Sequence, residues 1–98
     1  MNTNAPRAVL ADDERLMRDQ LRSRLATVWP ELEIVAEARN GAEAVQLVAE
    51  HRPDLVFLDI RMPGMTGIEA AREIARMDAT EDWPGCEVVF ITAYDQYA

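Results

Sequence analysis

Two apolar runs that end in acidic residues, Val9-Leu10-Ala11-Asp12-Asp13-Glu14 and Leu55-Val56-Phe57-Leu58-Asp59, restrict what this chain can fold into. Short apolar runs separated by helix-like segments read as strands buried on both faces, the pattern of a parallel sheet. Parallel strands end on one shared edge, so the carboxylates of Asp12, Asp13 and Asp59 are expected in a single crevice there. Like charges gathered in this way repel one another unless a cation neutralises them. An all-oxygen donor set favours Mg2+, Mn2+ or Ca2+.

The rest of the chain alternates strand and helix without linker, repeat or low-complexity segment. Ala8 to Ala11 is expected as the first strand. Glu14 to Val28 follows as a helix with Met17, Leu21, Leu25 and Val28 on one stripe, stopped by Trp29-Pro30. Glu33 to Ala38 reads as a second strand, and Asn40 as the N-cap of a helix carrying Ala44, Val45 and Val48, which ends before Pro53. Strand three is Leu55 to Asp59. The turn-rich Pro63-Gly64-Met65-Thr66-Gly67 then leads into a helix with Ile68, Ala71, Ile74 and Ala75 on one side. After an aperiodic segment from Asp78 to Gly85, Val88 to Ile91 forms the fourth strand, ending at Thr92.

A chain of 98 residues with 49% hydrophobic content suits one globular domain, here spanning 1–98. No apolar stretch approaches the roughly 20 residues of a membrane helix. The polar start Met1-Asn2-Thr3-Asn4 lacks the form of a secretory signal, and the lone Cys86 cannot form an internal disulfide, so the cytoplasm is the expected compartment. A net charge of −8 argues against direct contact with nucleic acid, which demands a basic face. All ten basic residues are Arg; the chain has no Lys.

The Asp12-Asp13 pair after strand one, Asp59 ending strand three, the Pro63 to Gly67 loop and the Thr92-Ala93 step after strand four together resemble the receiver domain of two-component response regulators. The ending from Thr92 to Ala98 is similar to receivers attached to LytTR-type DNA-binding domains. The resemblance implies a flavodoxin-like α/β fold with strand order 2-1-3-4-5 and helices on both faces. It implies Asp59 as phosphoacceptor and Mg2+ as cofactor. Asp13, Asp59 and the backbone carbonyl of Arg61 would bind the metal directly, and Asp12 mainly through water. Thr92 matches the switch residue that turns its hydroxyl towards the phosphoryl group, and Ala93 leaves that group room. Arg61 and Tyr94 occupy positions that govern access of water. The implied partners are a sensor histidine kinase, a second copy of the chain, and DNA through an output domain outside this segment.

One departure from the family pattern stands out. The family's fifth strand carries a phosphoryl-contacting Lys, and with no Lys anywhere the expectation is a fragment lacking the fifth strand and helix. Strand four would then be an open edge prone to self-association.

Several other readings compete with this one. Asp12 and Asp13 could be acids that favour the start of the first helix, Thr92 a β-branched strand residue, and the Pro63 to Gly67 loop a turn alone. A phosphatase of the haloacid-dehalogenase kind would want Asp two residues after Asp59, where Arg61 stands. A pseudo-receiver acting only as a dimerisation module, and a stand-alone signalling shuttle, are the remaining functional alternatives. His51 reads as a helix C-terminal residue, while Cys86, Trp29 and Trp83 read as packing residues.

Overall fold

A computed structural model describes residues 5–91. In chain order it forms β1 (Arg7–Ala11), α1 (Arg15–Val28), β2 (Glu33–Ala38), α2 (Gly41–His51), β3 (Leu55–Asp59), α3 (Gly67–Ala75) and β4 (Glu87–Ile91). The four strands make one parallel sheet in the order β2-β1-β3-β4. This is the doubly wound arrangement expected for the receiver fold, in which the chain reverses direction beside β1 and opens a crevice at the strand ends.

Side chains on a strand alternate between faces, and the packing follows that period. Val9, Ala11, Val56 and Leu58 face a core that includes Ala44 and Val48 of α2 and Ala70 and Ile74 of α3. Ala8, Leu10 and Phe57 face the other way, against Leu21 and Leu25 of α1. Helices therefore lie on both faces. β4 is the least covered strand, with Val89 38% and Phe90 44% exposed.

The helix ends show which signals act locally. The Asn40 side chain accepts the Glu43 N–H at 2.8 Å, as its position predicts. Thr66 begins α3 with a capping box: its hydroxyl oxygen accepts from the Glu69 N–H, and the Glu69 carboxylate accepts from the Thr66 N–H at 2.9 Å. α1 has no such device. Glu14 is its N-cap rather than its first helical residue, and the Glu14 side chain makes no capping bond.

The apolar stripe expected on α1 is also displaced. Val28 is 74% exposed, whereas Arg18 is buried. Its position falls on the Leu21 and Leu25 side of the helix, turned towards β2, where it meets a carboxylate far away in sequence.

At the N-terminal end of the strands the polar groups are closely paired. Arg7 N–H donates to the Asp54 carboxylate at 2.8 Å, and Asp54 N–H donates to the Arg7 carbonyl at 2.8 Å. Arg52 closes α2 in the left-handed region, φ 48°, an uncommon conformation for a residue with a side chain. Its guanidinium lies 5.6 Å from the Trp83 ring. The buried Trp83 indole N–H donates to the Pro53 carbonyl at 2.8 Å, tying the loop before β4 to the start of β3. Trp83→Phe removes that donor and leaves a buried carbonyl unpaired. Unfolding in urea is expected to show a loss of about 1–3 kcal/mol.

Candidate functional site

The sheet register brings the acids together. β1 and β3 run side by side with Ala11 opposite Leu58, and the residues that follow them are Asp12, just past the end of β1, and Asp59, the last of β3. Asp12 is 5% and Asp59 8% exposed, while Asp13, one residue further on, faces solvent. Each of the three carboxylates offers an oxygen within 4.8 Å of the others. The convergence expected from the sequence is therefore present.

Backbone donors fix the two buried acids. Asp12 Oδ1 accepts the Glu14 N–H at 2.9 Å, and the Asp12 N–H donates to the Ala38 carbonyl of β2 at 3.1 Å. Asp59 Oδ1 accepts the Arg61 N–H at 3.2 Å. Arg61 thus borders the crevice through its backbone, and its side chain is exposed. Thr92, Ala93 and Tyr94 lie outside the described residues.

Close packing holds the loop after β3 in place. The Gly67 N–H donates to the Ile60 carbonyl at 3.0 Å, and a Cβ at residue 67 would run into the carbonyl of Asp59 and the Cα of Ile60. Glycine there lets the start of α3 sit against the backbone of the acidic strand end. Beside the carboxylates opens a shallow, mainly apolar groove lined by Asp13, Ile60, Met62, Pro63 and Ile68.

The electrostatics of the crevice oppose ionisation. Burial pushes the Asp59 carboxyl above the usual carboxylate range, the charges of Asp13 and Glu14 push it the same way, and the Arg61 N–H pulls against them. Burial likewise raises Asp12, with Asp59 and Asp13 adding to it and the Glu14 N–H and Arg18 opposing. Each buried acid therefore binds its proton more tightly in the fold than in the unfolded chain. Below the ordinary value of 3.8 this difference contributes nothing. As pH rises from there the unfolded chain ionises first and stability falls, and the loss is constant above the native value.

A divalent cation would reverse that unfavourable balance, and the donors present, three carboxylates with a backbone turn beside them, fit a hard, oxygen-seeking ion such as Mg2+. Cys86, by contrast, is held away from reactivity. Burial, with Asp54 and Glu87 nearby, pushes its thiol up to about 12.

Two features of the site escaped the reading of the sequence. One is Gly67, visible there only as a turn residue. The other is Arg18, whose side chain reaches the Asp12 carbonyl. A cation inside an otherwise apolar helical stripe was the available signal.

Residues 8–98 match the response regulator receiver domain family, and the chain belongs to it. It is 56% identical over 91 residues to an uncharacterized response regulatory protein of Vibrio cholerae, a match covering 93% of this chain and 33% of that protein. It is 34% identical over 95 residues to the transcriptional regulatory protein DegU of Brevibacillus brevis, covering 97% of this chain and 38% of the relative. Among solved structures it is similar to a two-component response regulator of the LuxR family from an Aurantimonas species. The TM-score is 0.77 at 34% identity, over 94% of this chain and 61% of that one. The chain spans about a third of the length of the curated relatives it matches.

Asp13 stands in the field of both buried acids, so Asp13→Asn should relieve their repulsion. In chelator at neutral pH the variant is expected to melt above the parent. Mg2+ should raise the melting temperature of the parent by preferential binding to the native state, and should do so far less for the variant. Differential scanning calorimetry with and without Mg2+ checks both.

Proposed function

We propose that this chain receives a phosphoryl group on Asp59 from the phosphohistidine of a sensor histidine kinase and so switches an output surface. The observation that carries the reading is the meeting of Asp12, Asp13 and Asp59 at adjoining ends of β1 and β3. Phosphoryl transfer needs positioning and charge neutralisation more than covalent help, and an open strand-end crevice suits it.

In the proposed reaction a carboxylate oxygen of Asp59 attacks phosphorus in line. The bond from phosphorus to the donor imidazole breaks, its electron pair stays on that nitrogen, and an acyl phosphate forms. The Arg61 N–H, on Asp59 Oδ1, holds the carboxylate in orientation. Asp13, Asp59 and the Arg61 carbonyl would hold Mg2+ directly and Asp12 mainly through water. Bound there, the ion would offset the charge of the acids and of the phosphoryl oxygens. By family resemblance Thr92 responds to the new group, Ala93 gives it space, and Arg61 and Tyr94 limit access of water.

The output is proposed to be transcriptional, in the cytoplasm, through a DNA-binding domain outside this segment. The similar DegU is a transcriptional regulatory protein, which supports the transcriptional part of that reading. The LytTR-like ending, residues 92–98, lies outside the described residues and the similar Aurantimonas structure is of the LuxR family, so no LytTR-type output is assigned. Pairing of two copies through β4 belongs to the same reading, with exposed Val89 and Phe90 as its support.

Intact mass spectrometry after incubation with Mg2+ and acetyl phosphate is expected to show one added phosphoryl group, absent with chelator and in Asp59→Asn. No added mass would instead favour a module that takes no phosphate and acts only by association. Light scattering is expected to show a dimer that Phe90→Asp converts to monomer, and a parent chain that stays monomeric when concentrated overturns the pairing.

A further inference from the structure

Arg18 is a buried guanidinium on α1, and burying such a group is unfavourable unless its donors are met. Two elements supply partners for two of its five donors. Its Nε donates to Glu37 Oε1 of β2 at 3.0 Å, and its Nη1 donates to the Asp12 backbone carbonyl at 2.8 Å. The other Glu37 oxygen accepts from Arg22 Nη1, one turn further along α1, at 2.6 Å. Glu37 is adjacent to Ala38, whose carbonyl takes the Asp12 N–H. Both backbone groups of Asp12 are thus anchored to the β2 side, one directly and one through the Arg18–Glu37 pair.

The carbonyl that Arg18 grips belongs to the planar unit joining Asp12 to Asp13. Fixing that oxygen fixes the peptide plane from which the Asp13 side chain departs. Nothing else among the described hydrogen bonds reaches this carbonyl, and the Glu14 side chain, which could have organised the turn as a helix cap, makes no capping bond. The turn carrying two of the three crevice acids is therefore held at the Asp12 side chain by the Glu14 N–H and at the Asp12 carbonyl by a side chain six residues away.

We propose that Arg18 is the positioning residue of the acidic crevice, setting the Asp12–Asp13 peptide so that Asp13 is presented to a divalent cation beside Asp59. This rests on the reading of the crevice as a Mg2+ site. The planar fork is what the role requires, because one end must engage a carboxylate and the other a carbonyl at the same time. A Lys ammonium on a flexible stem keeps the charge without that geometry.

Charge and geometry predict opposite results, which makes the role testable without any phosphoryl donor. A cation near the acids weakens their hold on Mg2+, so on charge alone Arg18→Met tightens binding and Arg18→Lys leaves it unchanged. If Arg18 positions the turn, both variants weaken binding, by the roughly 10- to 100-fold typical when the partner that orients a metal ligand is lost. A merely structural role lowers the melting temperature and leaves the affinity of the folded protein alone. The experiment is calorimetric titration of the chain with Mg2+ alone, on the parent, Arg18→Met, Arg18→Lys and Arg22→Ala, each checked for folding by circular dichroism. Arg22→Ala removes a Glu37 partner but not the Asp12 contact, and is expected to keep the parent affinity. Should Arg18→Met fail to fold, Arg18→Lys decides. Parent-like affinity in Arg18→Lys, or equal weakening in Arg22→Ala, overturns the inference. A parent chain that binds no Mg2+ overturns the reading of the crevice itself.

Discussion

The parallel pairing of β1 with β3 is the constraint on which the rest depends. Once Ala11 lies opposite Leu58, Asp12 and Asp59 must leave the sheet side by side, and Asp13 follows within reach of both. The apolar runs before them secure this register, because a slip by one residue would turn Leu10, Val56 and Leu58 to the wrong faces. Hydrophobic burial in the strands therefore forces together charges that repel one another.

The two ends of the sheet accordingly behave differently. At the N-terminal end Arg7 pairs with Asp54, and Trp83 with Pro53, through short hydrogen bonds. At the C-terminal end three carboxylates share a crevice in which burial and mutual charge raise the proton affinity of the two buried ones. Natural chains tend to concentrate such conflicts where they act, and hold them with well-satisfied structure elsewhere. Gly67 belongs to the holding structure, since any side chain there would push α3 away from the Asp59 backbone.

Much of this was legible in the sequence because it is local. The four strands, the Asn40 cap and the acidic strand ends are each announced by residues close in sequence, and the structure places them where the patterns put them. The readings failed where the deciding partner is remote. Val28 continued the apolar spacing of α1 yet meets solvent, while Arg18 broke the spacing and is buried, because Glu37, 19 residues away, waits on β2. Periodicity reports which way a helix turns its greasy side. It does not report that a neighbouring strand carries a carboxylate able to bring a cation inside. The capping box of Thr66 was readable in principle from the Thr-x-x-Glu spacing, but the turn residues around it drew the reading to the loop.

The same remoteness bears on how repelling charges are held in one crevice. An Asp-Asp turn left to itself would relax outward, since separating the acids lowers their energy and α1 lacks a cap to resist. What resists is the bond from the Glu14 N–H to the Asp12 carboxylate, together with a chain of contacts from Glu37 through Arg18 to the Asp12 carbonyl, set against the bond from the Asp12 N–H to Ala38. These contacts hold Asp12 and leave the carboxylates of Asp13 and Asp59 facing the crevice. The fold thereby restrains the acids through their peptide groups while leaving carboxylate oxygens towards the crevice, the preorganisation that the proposed Mg2+ site would need.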